Sequence, residues 1–235
     1  MEKRHWYVVL TYVIMQFSTI LGVPLFYNLG IQPKEVALAY WLIFSFLSAL
    51  IIILILMRKD MRPDQLRDDR SSLPVALLWS VFGVFLALFA QGIAGVLENK
   101  LFGIEPGSEN TEFLVEIAMA TPLFIVVTSV IGPILEEVIF RKILFGSLYK
   151  RFNFILAAVI SSIIFAIVHM DFTHILIYTA MGFTFAYLYV KTKRIIVPII
   201  AHVSMNTFVV LVQLVFKDEI EKYQQQVESM QFIFF

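Results

Sequence analysis

Seven times along this chain a run of about 20 residues passes with little or no charge, the length a helix rising 1.5 Å per residue needs to cross some 30 Å of hydrocarbon. The runs are Trp6 to Tyr27, Val36 to Met57, Leu73 to Val96, Thr121 to Tyr149, Phe154 to Met170, His174 to Val190 and Ile195 to Phe216. Lipid offers no partner to a backbone N–H or C=O, so such segments have to be helices. The expected fold is an all-α, polytopic membrane bundle of about seven transmembrane helices. The stretch Thr111 to Ala120 is apolar but short, and reads as an interfacial or re-entrant helix or as the start of the fourth span. An eighth crossing would require it to be longer.

Composition narrows the class in the same direction. Hydrophobic residues make up 60% of the 235 and charged ones 15%, with a mean hydropathy of +0.84, too few polar side chains to cover a soluble domain. Lys plus Arg and Asp plus Glu number 18 each, so no net charge draws the chain to nucleic acid. The partners expected are membrane lipid and a peptide or membrane-protein substrate. The absence of cysteine removes disulfides, thiolate metal sites and a Cys nucleophile. The first apolar run is longer than a signal-peptide core and lacks a small-residue cleavage site, so it reads as an uncleaved span.

Cations set the expected orientation. Lys3, Arg4, Arg58, Lys59, Arg62, Arg67, Arg70, Lys142, Lys150, Arg151, Lys191, Lys193 and Arg194 fall on one side of the seven-span arrangement. Lys34, Lys100, Lys217 and Lys222 fall on the other. By the positive-inside tendency the N-terminus of this multi-pass cell-membrane protein is cytoplasmic. Three parts follow: a three-helix N-terminal region over residues 1–110, a membrane core over 111–216, and a polar tail over 217–235 that has the character of a short helix. The loop from Glu98 to Glu112, acidic and holding Gly103, Pro106 and Gly107, is a solvated turn region on the cation-poor side.

Ionisable groups inside the core spans point to function, because each costs several kcal/mol at mid-bilayer. The fourth span holds Glu136, Glu137 and Arg141. Successive helix residues are about 100° apart, so the two glutamates are not expected to point at one partner. Glu137 and Arg141, at i and i+4, share a face and pair. Glu136 is left without a local cation, desolvated, and suited to take a proton. Pro133, lacking an N–H, kinks the helix or opens a carbonyl near the site. A hairpin turning at Lys150 to Asn153 returns His169 to the level of Glu136, by counts of about 22 Å down and about 27 Å back. His202 and Asn206 share one face of the last span. From Arg194, His202 is only about 12 Å deep, so straight-rod counting leaves it shallower than Glu136. Asp171 and His174 are expected to be solvated or capping, and Gln91 and Glu116, near the outer face, structural, with the lining of an entrance as the lesser reading.

Three runs in this order, Glu136-Glu137-Val138-Ile139-Phe140-Arg141, Phe165-Ala166-Ile167-Val168-His169 and His202-Val203-Ser204-Met205-Asn206, match the patterns Glu-Glu-x-x-x-Arg, Phe-x-x-x-His and His-x-x-x-Asn. They resemble the signatures of the CPBP family of intramembrane proteases, which includes the type II CAAX prenyl endopeptidases and the bacterial Abi proteins. The resemblance covers roughly Thr121 to Val212. It implies an endopeptidase in which Glu136 activates water, His169 and His202 assist, and Asn206 donates to the oxyanion, with Glu137 and Arg141 in supporting positions.

Two histidines and a glutamate are also a zinc set, the alternative cofactor reading. Asn206 is a poor zinc ligand and a natural oxyanion donor, which favours the metal-free scheme. A proton-coupled transporter would place the same groups in a relay, but the first three spans hold no counterpart of the later motifs. A non-catalytic immunity protein that binds a peptide is the remaining alternative.

Overall fold

The computed structural model of the chain describes residues 2–60, 69–105, 107–216 and 222. Arg62, Arg67, Pro106, Lys217 and nearly all of the polar tail, with its expected helix, lie outside the described residues. Among the described residues every regular element is a helix. Helix α1 (Lys3–Phe17) and α2 (Thr19–Asn28) form one apolar run bent by 46°. The bend falls at Ser18, whose hydroxyl donates to the Met15 carbonyl at 2.7 Å and accepts from Trp41 Nε1 at 3.0 Å. A side chain that takes a carbonyl out of the helical ladder is a recognised cause of a kink.

Helix α3 (Lys34–Met57) and the long α4 (Leu73–Phe102) follow, α4 ending on Gly103 in the left-handed region at φ 67°. Helix α5 (Glu109–Ala120) is capped by Ser108, which accepts from the Thr111 N–H. Pro122 then forces Thr121 out of the helical region, to φ −140° and ψ 86°. The short stretch before it is therefore a helix of its own rather than the start of the next span. Helix α6 occupies residues 124–148 and is wound in alternating α and π turns. Helix α7 (Phe154–Val168) begins on an Asn153 cap, and α8 (Ile175–Thr192) and α9 (Ile196–Val215) complete the bundle.

Four of these, α3, α4, α8 and α9, are long and apolar enough to cross a membrane, and the bent pair α1 with α2 makes a fifth. The other two expected spans correspond to α6, divided by its π turns, and α7, an apolar helix of 15 residues. Large apolar side chains such as Leu21, Leu78 and Phe89 are more than 60% exposed. On a bundle of apolar helices that surface faces lipid.

Inside, α8 packs between α7 and α4, α9 packs on α4 and α6, and α3 supports both α1 and α6. Lipid tails supply no hydrophobic drive to associate, so close approach through small residues takes its place. At Gly182 of α8 an added Cβ would sit 2.9 Å from Ser162 Cβ of α7. Three apolar cores result. One joins α1, α3, α5 and α6 around Val8, Ile53 and Leu135, a second joins α4, α8 and α9 around Ala87, Phe185 and Ala201, and a smaller one joins α6, α7 and α8 around Phe145, Ala157 and Ala186. The polar residues of α6 lie along the seam between the first two.

Candidate active site

The seam is shaped by the winding of α6. From Val127 the helix widens into a π turn in which the Gly132 N–H reaches the Val127 carbonyl five residues back. The next residue in that register is Pro133, which has no N–H to give, so the Thr128 carbonyl has no helical partner. Asn206 of α9 fills the vacancy, its Nδ2 donating to Thr128 O at 3.4 Å. The open carbonyl expected from Pro133 is present and has a specific user. Since an amide carries two N–H donors, the second hydrogen of Asn206 remains available.

A second π stretch, Glu137–Phe145, starts at the paired glutamates. Glu137 is fully buried and its Oε2 stands 3.2 Å from Arg141 Nε, the pair expected from their spacing. The Arg141 guanidinium, 1% exposed, lies over the Phe165 ring at 4.4 Å and near Phe185 at 5.3 Å. Desolvated cation–π contacts contribute about 2 kcal/mol and help offset the burial of the charge. The other oxygen of Glu137 accepts from His202 Nδ1 at 2.9 Å. That contact was not foreseen, because the two glutamates were expected to part company. In fact both reach one ring, with Glu136 Oε2 3.8 Å from His202 Nε2. An imidazole offers a nitrogen on each of two edges, so one partner serves two carboxylates that leave the helix in different directions.

His202 is 1% exposed and stacks on Phe185 at 4.5 Å. His169 caps the end of α7, donates from Nδ1 to the Phe165 carbonyl at 2.8 Å, and stacks on Tyr178 at 4.2 Å. A carbonyl only accepts, so Nδ1 carries the hydrogen and Nε2 is the basic nitrogen. Thus a carboxylate, two imidazoles and an amide, from α6, α7 and α9, line one cavity of about 860 Å³. The six site residues expected from the sequence divide in space: Glu136, His169, His202 and Asn206 line the cavity, while Glu137 and Arg141 stand behind it.

Straight-rod counting leaves His202 shallower than Glu136, yet Glu136 Oε2 stands 3.8 Å from His202 Nε2, so the two side chains meet at one level of the bundle.

Several residues around the cavity escaped the sequence reading. Tyr12 and Tyr178 line it, and so does Gln91, for which the lesser of the two expectations holds. His174 is buried rather than solvated, its Nδ1 3.0 Å from Glu98 Oε2, and Glu98 also accepts from the Leu176 and Ile177 N–H groups at the start of α8. Asp171 does cap, accepting from the His174 N–H and from Ser108 Oγ. Glu98 carried no signal, because a lone glutamate near a helix end reads as solvated. Among the described residues, the metal-type cluster whose ligand atoms lie within 4.8 Å of one another is Glu2, His5 and Asp60 at the far end of the bundle. There Arg4 already contacts both carboxylates at 2.7 Å and supplies the positive charge.

Fold and site together define a polytopic helical membrane protein with a carboxylate, imidazole and amide pocket between its helices. Residues 118–208 match the family model of the Rce1-like type II CAAX prenyl endopeptidases. The chain is 46% identical to YdiL of Bacillus subtilis (strain 168), provisionally named a membrane peptidase, over 99% of this chain and 98% of that one. It is 35% identical to the membrane-embedded CAAX protease MroQ of Staphylococcus aureus (strain USA300), over 96% and 95% of the two chains. A shorter match, 30% identical over 56% of this chain and 74% of the other, is to the UPF0177 protein YxdF of Lactococcus lactis. The chain belongs to this Rce1-like CAAX protease family, a family of membrane peptidases. No solved structure matches it.

Proposed function

We propose that this protein is an intramembrane endopeptidase in which Glu136 activates water for attack on a peptide carbonyl, without a metal. The observation that carries the reading is the approach of Glu136 Oε2 to His202 Nε2 at 3.8 Å on the wall of the cavity. That separation is too long for a direct hydrogen bond and suits a water held by both groups. Glu136 takes the proton as the water oxygen bonds to the carbonyl carbon. The proton then passes to the leaving amine as the C–N bond breaks. The His169 and His202 imidazoles hold the water and substrate in place. The second N–H of Asn206 donates to the developing oxyanion, an interaction worth about 3 kcal/mol in comparable sites.

Geometry favours the metal-free scheme over zinc. The ligand atoms of Glu136, His169 and His202 are not gathered within the 4.8 Å spacing met by the Glu2 cluster. The substrate class is a polypeptide segment at the membrane. Glu136→Gln tests the assignment: cleavage of a reporter peptide should vanish while the folded protein persists in detergent. A peptide-dependent immunity phenotype that survived Glu136→Gln would favour binding without cleavage.

A further inference from the structure

The two ends of the bundle differ in charge, and the cavity opens at only one of them. At one end Arg4 pairs with Asp60, Lys142 donates to the Asp60 carbonyl, Lys193 pairs with Asp69, and Arg194 donates to the Ser71 carbonyl. The Ser71 N–H in turn donates to Thr192 O, which ties residues 69–71 to the end of α8. Arg58, Lys59, Lys150 and Arg151, all exposed, belong to the same end, because they continue the helices that carry Met57 and Leu148. The opposite end is held by Glu98 with His174 and by Ser108 with Asp171. Lys34 opens α3 and Lys100 lies in the last turn of α4 at that end.

The cavity runs from Glu136 to the second end. Its lining there includes Asn99, Lys100, Glu105 and Ser108, of which the first three are exposed, and it includes no residue of the cation-rich end. Below that mouth the walls turn apolar, with Leu42, Phe46, Leu114, Val115, Val209 and Val210. Clustered lysine and arginine mark the cytoplasmic ends of membrane helices.

We infer that the pocket takes its substrate from the extracytoplasmic face, as a polypeptide segment with apolar side chains beside the bond to be cut. The inference rests on the peptidase reading for the act of cutting, and on the placement of cations and cavity for the side. Water and polypeptide enter past Lys100 and Glu105. The scissile bond therefore lies in a chain already exported, or in the outward-facing juxtamembrane part of a membrane protein.

The lack of any native cysteine makes the test direct. Single variants Lys100→Cys and Glu105→Cys, at the mouth, and Lys150→Cys and Arg151→Cys, at the other end, are exposed in intact cells to a membrane-impermeant maleimide, then again after permeabilisation. The mouth variants should label in intact cells and the other two only after permeabilisation. Labelling in the reverse order overturns the inference. In parallel, one cleavable apolar segment is displayed on either side of a single-span anchor in cells with the wild-type protein or Glu136→Gln. Cutting of the outward-facing reporter alone, lost in Glu136→Gln, is the expected result. Cutting of the inward-facing reporter alone overturns the inference whatever the labelling shows. If the mouth labels from outside and neither reporter is cut, the orientation stands and the peptidase reading fails, so the two claims fail separately.

Discussion

Glu137 Oε1 accepts from His202 Nδ1 at 2.9 Å, and this contact decides which edge of the ring faces the cavity. With Nδ1 engaged, only Nε2 is left for Glu136. The other oxygen of the same carboxylate stands beside Arg141, so one buried group orients an imidazole and neutralises a cation. Neighbouring glutamates thus differ in surroundings: one is walled in and the other, 18% exposed at its side chain, meets the cavity.

That division makes the two amide substitutions behave differently. Glu137→Gln leaves the Arg141 guanidinium buried beside a neutral group, a change that costs about 3–5 kcal/mol when one partner of a buried pair is removed. The variant should unfold at a clearly lower temperature in detergent. Glu136→Gln, away from any cation contact, should melt close to wild type and yet be inactive. Equal melting temperatures for all three proteins would show that the Arg141 pair does not need its carboxylate.

Metal dependence separates the two water-activation schemes. Under the glutamate scheme, dialysis of purified protein against a strong chelator leaves reporter cleavage unchanged, and added zinc does not raise it. Complete loss on chelation, restored by zinc, would put the metal-assisted scheme in its place.

How far the sequence foretold this site depended on the kind of signal each residue carries. Glu136, Glu137, Arg141, His169, His202 and Asn206 stood out because an ionisable or amide group inside an apolar run is costly and therefore conspicuous. The Glu137–Arg141 contact followed from helical spacing and is present. Tyr12 and Tyr178 gave no such signal, since aromatic residues are ordinary in apolar helices, and only packing shows that they line the cavity. The π turns of α6 were equally silent. Nothing in Val127 to Ile131 dictates them locally, and they become intelligible only once Pro133, Thr128 and Asn206 are seen together.

Packing between α7 and α8 makes a prediction about position rather than chemistry. A side chain at Gly182 meets Ser162 Cβ at 2.9 Å and Ser162 Cα at 3.0 Å, and the backbone of α7 cannot yield without moving. Gly182→Val should cost about 1–3 kcal/mol, the usual range for overpacking. Because His169 closes α7 and stacks on Tyr178 of α8, the same shift should displace the imidazole. Turnover of the folded fraction should therefore drop as well. A variant that keeps wild-type turnover and melting temperature would mean the helices separate freely here.

The link from Pro133 to Asn206 can be read by combining substitutions. Pro133→Ala restores an N–H that can reach the Thr128 carbonyl within the helix, in competition with Asn206 Nδ2. A released amide wanders, so kcat should fall by roughly tenfold with KM little changed, an effect of about 1.4 kcal/mol on the barrier. Asn206→Ala, which removes the donor itself, should lower kcat by about 100- to 1000-fold. If Pro133 acts through Asn206, then adding Pro133→Ala to Asn206→Ala should do almost nothing more, because the group it releases is already gone. Should the double variant instead lose a further tenfold, the proline influences the site by another route, and the Thr128 carbonyl is not what positions the amide.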